Sequence, residues 1–84
     1  MYAVELTRSA ARELGRVAEP YHSAIISALR GLEKDPRPSG CKKLSGTRNL
    51  YRIRIGPYRA VYEVTDKIKL VSVERIAHRK DAYR

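Results

Sequence analysis

The chain has 84 residues, of which 43% are hydrophobic and 32% charged, and a formal net charge of +9. That length leaves room for one small domain, 1–84, and the apolar fraction excludes a disordered tail. The lone cysteine, Cys41, excludes an internal disulfide framework, and no apolar run approaches the length of a membrane span.

Residues 2–6 read as a short strand. Thr7 or Ser9 can cap a following helix, because a side-chain oxygen there accepts an otherwise orphaned N–H of the first turn. In that helix Ala10, Leu14 and Val17 form an apolar stripe, while Arg8, Arg12 and Arg16 line another face whose default is solvation. Glu19-Pro20 breaks it. Tyr21, Ala24, Ile25, Ala28, Leu29 and Leu32 then mark a second helical stripe, so the two helices form a hairpin that needs an apolar support. His22 falls among its surface positions.

Asp35-Pro36-Arg37-Pro38-Ser39-Gly40 ends the second helix, and beyond it the hydrophobic period changes from 3.6 to 2. If Gly56-Pro57 is a two-residue hairpin loop, Ile55 pairs with Tyr58 and Arg54 with Arg59. That register sends Tyr51, Ile53, Ile55, Tyr58, Ala60 and Tyr62 toward the helices as packing residues. Arg52, Arg54 and Arg59 then share the opposite face, with Glu63 on the same side near Leu50. Asp66-Lys67 forms a second turn, and residues 68–75 make a further, interior strand. The expected architecture is α+β in the order β-α-α-β-β-β: an antiparallel four-stranded sheet with a helical hairpin packed on one face.

Charge is distributed unevenly. Residues 1–41 carry six Lys/Arg against five Asp/Glu, whereas residues 42–84 carry twelve against four. Such a gradient points to a polyanionic partner, and guanidinium groups suit phosphate because they donate paired hydrogen bonds. Lys42, Lys43 and Arg48, before the hairpin, fit sequence-independent RNA phosphate contacts. The basic residues alternate with apolar ones and form no basic amphipathic helix, which disfavours a membrane surface. No His/Cys/carboxylate cluster suggests a metal, and no cofactor is expected. The amino-terminal residues lack the pattern of a signal peptide, so a cytoplasmic protein is expected.

The strings Lys43-Leu44-Ser45-Gly46, Leu50-Tyr51-Arg52-Ile53-Arg54-Ile55-Gly56, Tyr58-Arg59-Ala60-Val61-Tyr62-Glu63 and Arg75-Ile76-Ala77-His78-Arg79, with Tyr83, resemble the RelE/ParE superfamily of bacterial toxins, and the RelE branch in particular. The likeness covers the whole chain. It implies a ribosome-dependent endoribonuclease that cuts messenger RNA in the A site, using 2′-OH attack to leave 2′,3′-cyclic phosphate and 5′-OH ends without a metal. By motif matching, Arg52 and Arg54 stand where well-studied relatives have lysines, and Arg59, Arg79 and Tyr83 match the remaining catalytic positions. Arginine keeps its proton in proteins, so it is a poor base. His78, beside Arg79, is the residue whose ordinary pKa allows proton transfer near neutrality. The resemblance also implies a cognate antitoxin, with DNA reached only indirectly through it. Two alternatives stay open: a ParE-like inhibitor of DNA gyrase on the same fold, and a non-catalytic, RNA-binding degenerate toxin.

Overall fold

The structure is a computed structural model and describes residues 1–80. Its elements are β1 (Ala3–Leu6), α1 (Arg8–Gly15), α2 (Tyr21–Gly31), β2 (Lys42–Lys43), β3 (Leu50–Ile55), β4 (Tyr58–Thr65) and β5 (Leu70–His78). Thr7 caps α1, its Oγ1 accepting the Ala10 N–H at 3.1 Å. At the other end of α1, Nδ1 of His22 donates to the Leu14 carbonyl at 3.0 Å. His22 is therefore half-buried and ties the two helices together, where the sequence alone suggested an ordinary surface side chain.

The five strands form one sheet in the order β1-β5-β4-β3-β2. The α+β class and the element order are as expected, but two features of the sheet differ. Lys42 and Lys43, expected in a loop, form a short edge strand against Arg52 and Tyr51. β1 pairs with β5 in parallel, Val4 opposite Val71 and Leu6 opposite Val73, so the sheet is mixed rather than antiparallel throughout. The partners are 67 residues apart, and no local pattern in so short a strand encodes its direction.

The hairpin has the expected register: Ile55 faces Tyr58, Arg54 faces Arg59 and Leu50 faces Glu63. Gly56, at φ 59°, supplies the positive torsion that opens a two-residue loop, and Pro57 supplies the negative one that follows. Side chains alternate across a sheet, so this register decides which residues are core. Ile53, Ala60, Tyr62, Val64, Val71, Val73 and Ile76 are buried against Ala10, Val17, Ile25, Leu29 and Leu32 of the helical layer. Along α2 the expected stripe is narrower than drawn, since Tyr21 and Ala24 are exposed.

β5 runs to His78, farther than expected, because a bulge corrects its phase. Val61 pairs with Arg75 but Tyr62 pairs with Val73, leaving Glu74 as the extra residue. Val73 and Ile76 can then both face the helices. Thr7 and Glu13 satisfy the strand edge that β1 leaves open: Thr7 Oγ1 donates to the Glu74 carbonyl at 3.3 Å, and Glu13 accepts the Ile76 N–H at 2.8 Å.

The segment between α2 and β2 is held by a polar clasp. The buried Tyr62 hydroxyl donates to the Pro36 carbonyl at 2.8 Å, and burial pushes that hydroxyl's pKa well above its ordinary value. Arg37 donates to both oxygens of Asp66 at 2.8 and 3.2 Å and to the Tyr51 hydroxyl at 3.0 Å. Tyr2 adds a 2.6 Å hydrogen bond to Asp66. The Arg37 hydrogen bonds, then that of Tyr2, hold the Asp66 carboxyl down to about 2.

Two outcomes follow from the clasp. Tyr62→Phe leaves the Pro36 carbonyl without its buried donor and should lower the unfolding free energy by about 1–3 kcal/mol in urea titrations. Asp66 has a depressed pKa in the fold, so its contribution is present above the ordinary carboxylate value near 4 and is lost as pH falls toward 2. Calorimetry of Asp66→Asn should therefore show a smaller loss of Tm between pH 5 and pH 2.5 than the parent chain shows.

Candidate active site

Pleat and register place the hairpin arginines on the sheet face away from the helices. Arg52 shares a rung with Val61, and Arg54 shares the next outward-facing rung with Arg59. Partners in an antiparallel pair are about 4.5–5.5 Å apart at Cα, so two guanidinium stems rise from adjoining positions. Like charges directly opposite cost a few tenths to about 1 kcal/mol. Glu63 lies four residues along β4 from Arg59, about 13 Å by strand rise, on the same outward face.

Arg79 reaches the same end of the sheet by another route. β5 closes on the Tyr58–His78 rung, and the Arg79 N–H then donates to the Pro57 carbonyl at 2.7 Å. The backbone of Arg79 is thus fastened to the turn that joins the Arg54 and Arg59 strands. On β2, Lys42 pairs with Arg52 and extends the cationic face to the sheet edge. Three separate stretches of chain converge there.

Other candidates are not brought to this cluster. Lys43 pairs with Tyr51 and so lies on the opposite pleat from Lys42. Arg48 precedes β3 at its far end; Leu50 alone is about 13 Å from Arg54 by strand rise, and Arg48 lies beyond it. His78 shares its rung with Tyr58 and therefore faces the helix side. Its ring meets the Tyr58 edge with centroids 5.4 Å apart, and Tyr58 in turn meets Tyr21 at 5.6 Å. The Lys80 N–H donates to His78 Nδ1 at 3.3 Å, which makes Nδ1 an acceptor and leaves the proton of the neutral ring on Nε2. Tyr83 lies outside the described residues.

Beside the arginines a cleft of about 580 Å³ opens between α2, the turn at residues 38–40 and the edge of β3. Ala28, Gly31, Pro38 and Ile53 give it small and apolar walls, and Lys42, Arg52, Arg54 and Arg59 give it charged ones. Sequence reasoning missed this cleft, because small residues such as Ala28 and Gly31 carry no chemical signature. It also missed an acidic rung at the other end of the outer face. There Ser72 lies between Glu5 and Glu63, and its hydroxyl donates to Glu74 at 2.8 Å. The hairpin register, extended to β5 and β1, is the signal that would have located it.

Fold and site together define a small α+β protein whose sheet is cationic at one end. The family profile described as "ParE toxin of type II toxin-antitoxin system, parDE" matches residues 4–83. Among curated proteins the chain is 33% identical over 84 residues to Toxin RelE of Mycobacterium tuberculosis, covering 99% of this chain and 87% of that one. It is 31% identical over 87 residues to Toxin RelG of the same organism, covering 99% and 97%. A solved structure, the archaeal RelE–RelB complex from Pyrococcus horikoshii, superposes with a TM-score of 0.84 at 28% identity, covering 96% of this chain and 98% of that one. The chain belongs to the RelE/ParE superfamily of type II toxin–antitoxin toxins and is RelE-like within it.

The hairpin tip offers a direct check on how the site is held. A Cβ on Gly56 would sit 2.5 Å from Cε1 of Tyr21 and would carry a side chain at φ 59°. Gly56→Ala should cost about 1–3 kcal/mol in urea unfolding. Part of the loss should return in the Gly56→Ala/Tyr21→Ala pair, which removes the clash but not the torsional strain.

Proposed function

We propose that this toxin is a ribosome-dependent endoribonuclease that cleaves messenger RNA in the A site. The observation that carries the reading is the meeting of Arg54, Arg59 and the backbone of Arg79 at one end of the sheet. In the reaction the ribose 2′-oxygen attacks the adjacent phosphorus as its proton leaves. The bond from phosphorus to the 5′ oxygen breaks, and that oxygen takes up a proton. The products are a 2′,3′-cyclic phosphate and a 5′-OH end.

The phosphorane carries more negative charge than the starting diester, so fixed cations bind it more strongly than the ground state. Arg54, Arg59 and Arg79 supply that charge, while Arg52 and Lys42 hold the neighbouring phosphate. Arginines keep their protons, so the proton of the 2′-OH passes to water and the leaving oxygen is protonated from water. His78, with Nδ1 engaged by Lys80, offers Nε2–H as a contact to RNA. Tyr83 stacks on a base next to the cleavage site. Lys43 and Arg48, away from the cluster, bind ribosomal RNA phosphates through charge alone. The ribosome bends the messenger into in-line geometry, a positioning term that this sparse set of side chains does not provide alone.

The setting is the cytoplasm, and the partner is a cognate antitoxin that covers the cationic face, with DNA bound only through the antitoxin. The matched profile carries the ParE name, which favours gyrase inhibition as the second reading.

End mapping on RNA from a translating extract tests the proposal. Cleavage should leave cyclic-phosphate ends within A-site codons, and naked RNA should remain nearly intact. Arg54→Ala, Arg59→Ala and Arg79→Ala should each slow cutting by about 10²–10³-fold without loss of fold. Inhibited DNA supercoiling with no RNA ends would establish the second reading. RNA binding with a steep salt dependence, but no cleavage, would mark a degenerate toxin.

A further inference from the structure

We infer that the cleft between α2 and the β3 edge is a nucleobase slot, which receives the base of the nucleotide whose phosphate lies on the arginine cluster. Its biological use rests on the ribonuclease reading, but the slot itself is defined by geometry. Its volume, about 580 Å³, lies within the range of about 300–1,000 Å³ usual for small-ligand sites. A phosphodiester needs only surface charge, and the outer face of the sheet already offers that. A recess with Ala28, Gly31 and Ile53 on its walls adds something phosphate cannot use: an apolar space for a flat group. The four cations described above belong to the same lining, so one ligand can place its base inside and its phosphate on the charged wall. A nucleotide has that division of polarity. Ser39 and Gly40, on the third side, bring a hydroxyl and backbone groups able to hydrogen-bond the edge of a base.

An added peptide strand is the competing occupant of a sheet edge. Here β2 already pairs with Arg52 and Tyr51, so only residues 53–55 of β3 extend past it. Three residues make a short ladder, and the cationic wall favours a phosphate-bearing ligand.

Gly31 lines the slot and can take a side chain without a steric clash. It ends α2, and a Cβ built there meets nothing within 4 Å. Gly31→Leu thus projects into open space without requiring a change of backbone.

The test titrates ¹⁵N-labelled parent protein with the four ribonucleoside 5′-monophosphates, with inorganic phosphate and with an oligoglutamate peptide. The nucleotides should shift the amides of Gly31, Ser39 and Gly40, and their affinities should differ among the four bases by threefold or more. Inorganic phosphate should leave those amides in place. Gly31→Leu should weaken nucleotide binding at least fivefold while phosphate binding is unchanged. Nucleotides and phosphate giving the same shifts, confined to the arginine rungs, would overturn the slot. So would oligoglutamate moving the slot amides as tightly as the nucleotides, which would mark a protein-docking edge.

On translating ribosomes, Gly31→Leu should cut with an altered base preference. An unchanged rate and preference would overturn the slot and leave the nuclease reading standing. A parent chain that fails to cut overturns the nuclease reading instead, and the titration then decides the slot by itself. Should Gly31→Leu not fold, Gly31→Ala and the parent titration carry the decision.

Discussion

One constraint organises the molecule: successive residues of a strand must point to opposite faces. In the β3–β4 hairpin this alternation separates Ile53, Ala60 and Tyr62 from Arg52, Arg54 and Arg59. Burial of the first set fixes the direction of the second. A shift of register by one residue would bring arginines into the apolar layer, where an uncompensated charge is prohibitively costly. The hydrophobic core therefore aims the cations, and the fold and the candidate site rest on the same pairing. This also keeps Arg54 opposite Arg59, since the register that pairs them cannot change without losing the core.

The second support is the segment at residues 35–41. It is poor in regular structure, yet it forms one wall of the cleft. Two anchors of different character hold it. Tyr62 reaches it from within the core, and Arg37 grips Asp66 in the β4–β5 turn and Tyr51 on β3 from outside. Arg37 also lies 5.1 Å over the Tyr51 ring, which adds a cation–π contact to its hydrogen bonds. Fixed in this way, a loop rich in proline and glycine can serve as a wall rather than as a flap.

Much of the architecture was legible in the sequence because its determinants are local. The switch from period 3.6 to period 2, the proline between the helices and the Gly56-Pro57 loop were enough to set the hairpin register residue by residue. What escaped depends on contacts between distant segments. The parallel direction of β1 is decided by its place beside β5, and the phase of β5 by an extra residue, Glu74, that resembles any other strand position. The site divided along the same line. Arg54 and Arg59 could be paired on paper, and the backbone tie from Arg79 to Pro57 could not. His78 was singled out for its chemistry, whereas its orientation follows from the bulge upstream. The cleft was hidden because it is made of what Ala28 and Gly31 lack.

The acidic rung has a consequence of its own. Glu5, Glu63 and Glu74 sit on the outer face, with Glu63 one outward rung beyond the Arg52–Val61 rung and two beyond the Arg54–Arg59 rung, so acidic groups border the cationic face along the strands. An anion approaching this face is favoured toward the hairpin tip and less so toward the acidic rung. Three carboxylates thereby limit how far the cationic surface extends along the strands.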